Sequence, residues 1–175
     1  RQLWTQQRPG EPLVLKQAGV MLAFKNTLVV GLSGRLSGLD PNTGVIRWEA
    51  AIATPRGTND VERLVDLVAP FDRVGDVVCV RAFQAAVGCV NAERGQGVWT
   101  RPSAGEMGVS GNESLLIAPM SNGVVQAFNR SNGERVWDTE RLKYRILSAP
   151  LVTPRGVLVA DNGGWLYLLS LADGA

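Results

Sequence analysis

The chain has 175 residues, of which 45% are hydrophobic, and its 18 basic and 16 acidic side chains give a net charge of +2. These charges form no basic stripe, so a nucleic-acid partner is not expected. The sequence contains no histidine, which removes imidazole metal ligands, Ser-His hydrolysis and the commonest general base. With 20 Gly, 9 Pro and no capped helical pattern, the composition favours an all-β domain.

One pattern recurs four times. In each copy an Asp, Asn or Ser stands four residues before a glycine, and in three of the copies a Trp stands four residues after that glycine. The anchor glycines are Gly44, Gly95, Gly133 and Gly174, and the tryptophans are Trp48, Trp99 and Trp137. Asp or Asn at this position bonds the amides of a turn, and Gly supplies the positive φ with which an antiparallel strand returns. The spacings of 51, 38 and 41 residues are typical of one β-propeller blade per repeat.

In chain order, residues 1–8 are predicted to be the outer strand of a preceding blade, and residues 8–12 a linker rich in Pro and Gly. Four blades are predicted to follow, the last without its outer strand, over residues 13–53, 61–103, 104–140 and 146–175. The sequence therefore predicts a partial β-propeller of about four four-stranded antiparallel blades. The tryptophans that share one phase are predicted to pack between blades, whereas Trp165, which is out of phase, is predicted to be exposed.

The two cysteines, Cys79 and Cys89, lie on neighbouring predicted strands. If the loop between these strands has three residues, Phe83 to Ala85, the cysteines lie directly opposite each other and a disulfide can form. A two-residue turn places them on opposite faces. Because a disulfide needs a Cα separation of about 4.4–6.8 Å, we predict free thiols.

An insert at residues 54–66 accounts for the longest spacing, and a second distinctive stretch covers residues 142–150. Together they resemble the BamB family, the propeller lipoproteins of the outer-membrane β-barrel assembly machine. The insert residues that match are Asp60, Glu62, Arg63, Leu64 and Asp66. Members of this family are eight-bladed PQQ-like propellers, so the resemblance implies that the chain corresponds to the second half of such a ring.

The resemblance implies a non-enzymatic scaffold without a cofactor, which docks on a POTRA domain of the barrel-assembly protein BamA and assists the folding and insertion of β-barrel proteins. Unfolded outer-membrane proteins are a further candidate partner. The implied location is the periplasmic face of the outer membrane, with a lipid anchor in the full-length protein.

The docking residues implied by the resemblance fall in two patches. Leu13 and Leu15 match the family's Leu-x-Leu-Arg pattern, in which Lys16 replaces the Arg and loses its planar fork. Asp66 matches the first of two loop aspartates, and Val68 replaces the second. In the insert, Arg63 is a candidate docking residue or a solvated loop charge.

The predicted meander agrees with this placement, because links between blades and turns between second and third strands emerge at the same end. Leu13, Leu15, Lys16 and Asp66 are therefore expected to share one surface suited to a protein partner. The alternative is that Leu13 and Leu15 begin an ordinary strand and that Asp66 caps a turn.

Two other functions fit the blade pattern. A quinoprotein dehydrogenase binds pyrroloquinoline quinone and calcium on the ring axis, but it needs convergent acidic side chains and a vicinal disulfide, whereas Cys79 and Cys89 are ten residues apart. A generic interaction platform from another propeller family is the third interpretation.

The chain begins in one predicted outer strand and ends before another, so self-association is expected. The apolar residues predicted to lose cover are Val20, Leu22 and Phe24 at one side and Leu166 and Leu168 at the other. We expect the N-terminal segment of one copy to pair with the open edge of another.

Overall fold

The computed structural model describes residues 1–7 and 13–175, so the predicted linker at 8–12 lies outside the described residues. The described chain contains fifteen strands and no helix: β1 (Met21–Phe24), β2 (Thr27–Leu32), β3 (Arg35–Leu39), β4 (Ile46–Ala51), β5 (Leu67–Val74), β6 (Val77–Ala82), β7 (Ala86–Asn91), β8 (Gln96–Pro102), β9 (Ser110–Gly111), β10 (Leu115–Pro119), β11 (Val125–Asn129), β12 (Arg135–Thr139), β13 (Leu151–Thr153), β14 (Gly156–Ala160) and β15 (Leu166–Leu169). The described residues therefore include no helix that is long and apolar enough to cross a membrane.

The strands form four antiparallel meanders, which are β1–β4, β5–β8, β9–β12 and β13–β15. Central strands such as β6, β7 and β10 are buried along most of their length because they have a neighbouring blade on each face. The outer strands β8 and β12 mix buried and exposed residues instead. The predicted all-β partial propeller is therefore confirmed.

A tryptophan ring joins each blade to the next one. A Cβ on Gly133 would lie 2.4 Å from Trp99 Cδ2, and a Cβ on Gly174 would lie 2.7 Å from Trp137 Cζ3, so each ring sits directly on the anchor turn of the following blade. The Trp99 indole N–H also donates to the carbonyl of Arg130 at 2.7 Å, within that turn. These contacts confirm that the tryptophans of one phase pack between blades.

Trp48 follows this arrangement with one difference. Its ring lies on Gly95, where a Cβ would be 2.3 Å from Trp48 Cγ, but the ring also reaches back over Gly38 in its own blade. Its buried indole N–H has no hydrogen-bond partner among the described residues. The Trp48 ring therefore contacts the second blade through packing alone, while other bonds, such as that from Ala69 N–H to the carbonyl of Ala18, also join the two blades. Trp165, as predicted, is exposed.

The N-terminal segment keeps the tryptophan contact without forming a strand. Residues 1–7 form no ladder with any described strand. Because an outer strand pairs with the sheet of its own blade, the assignment of residues 1–8 to a preceding blade stays a prediction. Trp4 nevertheless packs on Gly44, and its indole N–H donates to the carbonyl of Pro41 at 2.9 Å. Trp4 thus occupies the place of an outer-strand tryptophan.

The cysteine prediction is wrong: Cys79 and Cys89 form a disulfide. Ala82 pairs with Ala86, so the loop between β6 and β7 has three residues, and Cys79 lies directly opposite Cys89 with a Cα separation of 4.0 Å. Gln84, at the centre of this loop, adopts a φ of 52°, a conformation that glycine usually supplies.

The prediction that Val20, Leu22 and Phe24 form an uncovered apolar face is wrong. Val20, which directly precedes β1, and Phe24 are buried in the core shared with the second blade, and Leu22 packs against the same core, because alternate residues of this segment point toward it. The open face of the first blade instead presents Met21, together with parts of β2 and β3.

An ion pair and its neighbours tie the second blade to the third. Arg130 donates to the carboxylate of Asp72 in β5, and Asp72 Oδ1 accepts the N–H of Gly111 at 3.0 Å. Arg130 is 5% exposed. Because removing one member of such a pair leaves a buried charge without its partner, both residues hold this junction together.

A second arginine lies in the same junction. Arg81 in β6 is fully buried and donates to the carbonyls of Ser103, at 2.7 Å, and Pro119, at 2.8 Å. Burial lowers the pKa of its guanidinium to about 10, so the group stays charged at neutral pH. Because Pro119 belongs to β10, one of these hydrogen bonds forms only when the third blade is in place.

We expect the disulfide to be detectable by mass. Because both cysteines are fully buried, the chain must be alkylated in denaturant. Without reductant we expect no adduct, and with reductant two; two adducts without reductant would contradict the bridge. The double variant Cys79→Ala/Cys89→Ala should lose about 2–4 kcal/mol of unfolding free energy, because the cross-link no longer constrains the unfolded chain.

Alanine substitutions at two glycines distinguish the contribution of the tryptophan contact to stability from the cost of backbone strain. Gly133 and Gly164 both have positive φ, of 71° and 85°, but only Gly133 faces a tryptophan ring, and a Cβ on Gly164 would meet nothing within 4 Å. Gly133→Ala should cost about 2–4 kcal/mol and Gly164→Ala about 1–2 kcal/mol. Urea unfolding of the two variants checks this, and equal losses would show that the Trp99 contact contributes nothing.

Candidate partner-binding site

The links between blades gather at one end of the molecule, here called the link end. At this end, each turn between a second and a third strand bonds to a link. Phe83 N–H donates to the carbonyl of Asp66 at 2.9 Å, Tyr144 N–H donates to the carbonyl of Asn122 at 2.7 Å, and Asn162 N–H donates to the carbonyl of Ile146 at 3.1 Å. These backbone bonds give the link end a defined shape.

The structure brings two of the predicted site residues into direct contact. Leu15 N–H donates to Asp66 Oδ2 at 2.8 Å, which joins the links on either side of the first blade. A groove of about 250 Å³ runs beside this bond, and its walls are Val14, Leu15, Gln17, Gly19, Gly31, Leu32, Asp66, Leu67 and Val68.

Exposed aliphatic side chains lie at this groove. Leu13 is 39% exposed and Val14 is 58% exposed, whereas Leu15 is half-buried. Lys16 is exposed and adds a positive charge. We call Leu13, Val14, Leu15, Lys16 and Asp66 the docking patch. Leu13 and Lys16 do not line the groove itself but flank the residues that do.

The other two residues singled out in the sequence, Val68 and Arg63, are not part of the docking patch. Val68 is 1% exposed, because it is in β5 and its side chain belongs to the core. Arg63 is half-buried in the insert and is not among the residues that line the groove. Val68 therefore lines the groove but offers almost no exposed surface, and Arg63 does not line it.

The insert itself contains a capped turn. Glu62 N–H donates to Asn59 Oδ1 at 2.9 Å, and Thr58 N–H donates to Glu62 Oε2 at 2.9 Å. The Thr58 N–H lowers the pKa of the Glu62 carboxyl below its ordinary value. These reciprocal bonds fix the conformation of the segment that leads to Asp66.

Sequence reasoning missed two features of the link end. Val14 lines the groove, and only its position between two matched leucines marks it. A second group of exposed apolar side chains consists of Tyr144 and Ile146 in the link between the third and fourth blades and Trp165 in the β14–β15 turn, which bonds to this link through Asn162. Tyr144 has a φ of 69° and is 88% exposed.

Asp161 organises the surroundings of this second group. Its Oδ1 accepts the N–H groups of Trp165 and Gly163, and its Oδ2 accepts the Tyr167 hydroxyl at 2.9 Å and an Arg145 N–H at 2.5 Å. The bond from the Trp165 N–H, with smaller contributions from the other donors, lowers the pKa of the Asp161 carboxyl to about 2.

Residues that could hold a metal ion do not cluster in the described ranges: no group of three or more His, Cys, Asp and Glu side chains has a suitable arrangement. The cysteines form a bridge across two strands rather than between adjacent residues.

Comparison with known proteins establishes the family. A family model described as "Outer membrane protein assembly factor BamB" matches residues 1–139. The assembly factor BamB of Bordetella pertussis is 34% identical over 98% of this chain. The chain belongs to the BamB family. The resemblance inferred from the insert is therefore confirmed.

Two further BamB proteins support this assignment. That of Burkholderia pseudomallei is 30% identical over 99% of the chain. The crystal structure of BamB from Moraxella catarrhalis matches with a TM-score of 0.88 at 22% identity, covering 97% of this chain and 52% of that one. The chain spans about 45% of the length of its curated BamB relatives.

The Asp161 network should make stability depend on pH in acid. Because its pKa in the folded chain lies below the ordinary value of 3.8, its contribution is complete above about pH 4 and is lost as the pH falls toward about 2. Urea unfolding should show that Asp161→Asn is less stable than wild type at pH 6 and that this difference shrinks in that window. Asp138→Asn, which removes an exposed pair with Arg135, is the matched control. A difference between wild type and Asp161→Asn that does not change with pH would contradict the prediction.

Proposed function

We propose that this chain is part of a non-enzymatic scaffold of the outer-membrane protein assembly machinery and that it docks on a POTRA domain of BamA through the docking patch. Docking would hold the propeller beside the machinery that folds and inserts β-barrel proteins. Membership of the BamB family supports the role. The observation that carries the choice of surface is the Leu15–Asp66 bond, which joins two links into one exposed wall.

The chemistry of the docking patch suits a protein partner. Protein interfaces usually combine an apolar centre with a polar rim, and the exposed Leu13 and Val14 beside the charged Lys16 provide both. The N–H of Leu15 is already bonded to Asp66, so a partner that covers this region meets a satisfied backbone. Asp66 would then act by holding Leu15 in place, by offering negative charge to the partner, or by both.

The disulfide supports an extracytoplasmic location. Bridges such as Cys79–Cys89 form and persist in oxidising compartments, which include the bacterial periplasm. We therefore place the chain at the periplasmic face of the outer membrane, with a lipid anchor in the full-length protein. Unfolded outer-membrane proteins are a second class of partner in this proposal, and the exposed group of Tyr144, Ile146 and Trp165 is the surface we assign to them.

The proposal is tested by measuring the affinity of the chain for purified POTRA domains of BamA from the same bacterium. Leu13→Ala/Val14→Ala should weaken binding about tenfold or more, because truncating central aliphatic contacts typically costs over 1 kcal/mol. Val98→Ala/Val136→Ala removes comparable exposed aliphatic surface from β8 and β12 and should bind as wild type does. Equal affinity of both double variants would exclude the docking patch.

Two substitutions at Asp66 distinguish charge from positioning. Asp66→Asn keeps an oxygen that accepts the Leu15 N–H, whereas Asp66→Ala removes it. If Asp66 acts through position, only the alanine variant should weaken binding; if its charge contacts the partner, both should. A visible absorbance change on adding pyrroloquinoline quinone to wild type would instead favour the dehydrogenase interpretation.

A further inference from the structure

A second cavity of the link end lies between the third blade and the links on either side of it. Its volume is about 230 Å³, and its walls include Glu106, Met107, Met120, Ser121 and Ile146. The first two residues belong to the link before the third blade, the next two to the turn after β10, and Ile146 to the link after the blade. We call this cavity the methionine pocket.

Backbone hydrogen bonds fix the outline of the methionine pocket. Ser121 N–H donates to the carbonyl of Ala104 at 3.1 Å, and Tyr144 N–H donates to the carbonyl of Asn122 at 2.7 Å. These bonds tie the turn of the third blade to the link before it and to the link after it. The three wall segments therefore keep their places, and only the side chains can adjust the shape of the pocket.

The side chains of the pocket suit apolar groups of different shapes. Two of the three methionines of the chain, Met107 and Met120, are half-buried in its walls, and Ile146 is 62% exposed. Methionine is unbranched and fills irregular spaces, and surfaces rich in methionine are typical of proteins that bind many different sequences. The docking patch instead presents branched side chains such as Val14, which have fewer conformations. The methionine pocket is therefore better suited to partners of variable sequence.

Glu106 gives the wall of the pocket a negative charge. Gln84 Nε2 donates to Glu106 Oε1 at 2.9 Å. Within the described ranges, 1–7 and 13–175, no cation forms an ion pair with this carboxylate. An exposed carboxylate without a cation attracts a basic side chain of a partner and repels an acidic one.

Cations of the surrounding elements are engaged elsewhere. Lys143 and Arg145, in the link after the third blade, each form an ion pair with another carboxylate. Arg81 donates to the carbonyl of Pro119 in the pocket wall, but its side chain is fully buried. The charge that a partner meets at the pocket is therefore that of Glu106.

We propose that the methionine pocket takes one large apolar side chain of an extended segment of an unfolded β-barrel protein, with a Lys or Arg of the same segment at Glu106. This inference rests on the proposed function, in which unfolded outer-membrane proteins are a second class of partner. Strands of such proteins alternate apolar and polar side chains, so an extended segment presents an apolar side chain about every 6.6 Å. Each of these side chains can enter the pocket in turn, because the methionines adapt to its shape.

Fluorescence anisotropy with labelled peptides tests the charge preference. The first peptide has about ten residues, the length of a transmembrane β-strand, with Leu at every second position and one central Lys. In the second peptide Glu replaces the Lys. At low salt, wild type should bind the Lys peptide about threefold or more tightly than the Glu peptide, as expected for one exposed charge. Glu106→Gln keeps an oxygen that accepts the Gln84 N–H and should bind both peptides equally.

Ile146→Ser tests the apolar contact. Because Ile146 is exposed, the change should leave the fold intact, and the affinity for the Lys peptide should fall about fivefold or more. Val136→Ser, the matched control, removes an exposed aliphatic side chain from β12 and should bind the peptide as wild type does. Wild type that binds neither peptide, or equal affinities of wild type and Ile146→Ser for the Lys peptide, would overturn the proposal.

Binding to purified POTRA domains separates this proposal from the docking proposal. Ile146→Ser and Glu106→Gln should bind them as wild type does, and Leu13→Ala/Val14→Ala should bind the Lys peptide as wild type does. If the docking patch is not the POTRA site, the peptide results for the methionine pocket still stand. An Ile146→Ser variant that loses affinity for POTRA domains but not for the peptide would assign the pocket to the POTRA partner and contradict the proposal.

Discussion

The arrangement of the blades depends on a tryptophan ring that fits only where the next blade lacks a Cβ. Trp99 on Gly133 and Trp137 on Gly174 both combine this close packing with an indole hydrogen bond to the same turn. The glycine therefore has two separate tasks, since it provides both the positive φ of its own hairpin and the space for the neighbouring ring. One residue type satisfies both needs, which couples the folding of one hairpin to the docking of the adjacent blade.

This coupling explains why so much of the fold could be predicted from the sequence. A glycine and a tryptophan at fixed spacing are visible as letters, and the apolar runs between them mark the buried central strands. The cysteine pair failed for a different reason. Whether Cys79 faces Cys89 depends on whether the loop between their strands has two or three residues. The three-residue loop needs a positive φ at its centre, and this position is occupied by Gln84 rather than by the glycine from which such a φ could be predicted. Strand parity then decides the face on which each thiol lies.

The candidate site was predicted in part. Meander geometry places the links and turns at one end, so a shared surface for Leu15 and Asp66 follows from topology and from the family pattern. The hydrogen bond from Leu15 N–H to Asp66 could not be predicted, because every residue except proline has a backbone N–H and the sequence does not show which one Asp66 accepts. Val14 was missed since it matches no pattern residue, and Val68 proved to be a core residue because β5 begins one position before it.

Two buried arginines, Arg81 and Arg130, distinguish the junction between the second and third blades from junctions that have only the tryptophan contact. Blades that share one tryptophan contact are nearly interchangeable, and a chain built from them risks docking the wrong pair during folding. At this junction a wrong neighbour would leave the Arg81 guanidinium without the Ser103 and Pro119 carbonyls, and Arg130 without Asp72. An unsolvated charge in the interior is far costlier than a poorly packed methyl group, so these residues act as a check on the order in which the blades are assembled.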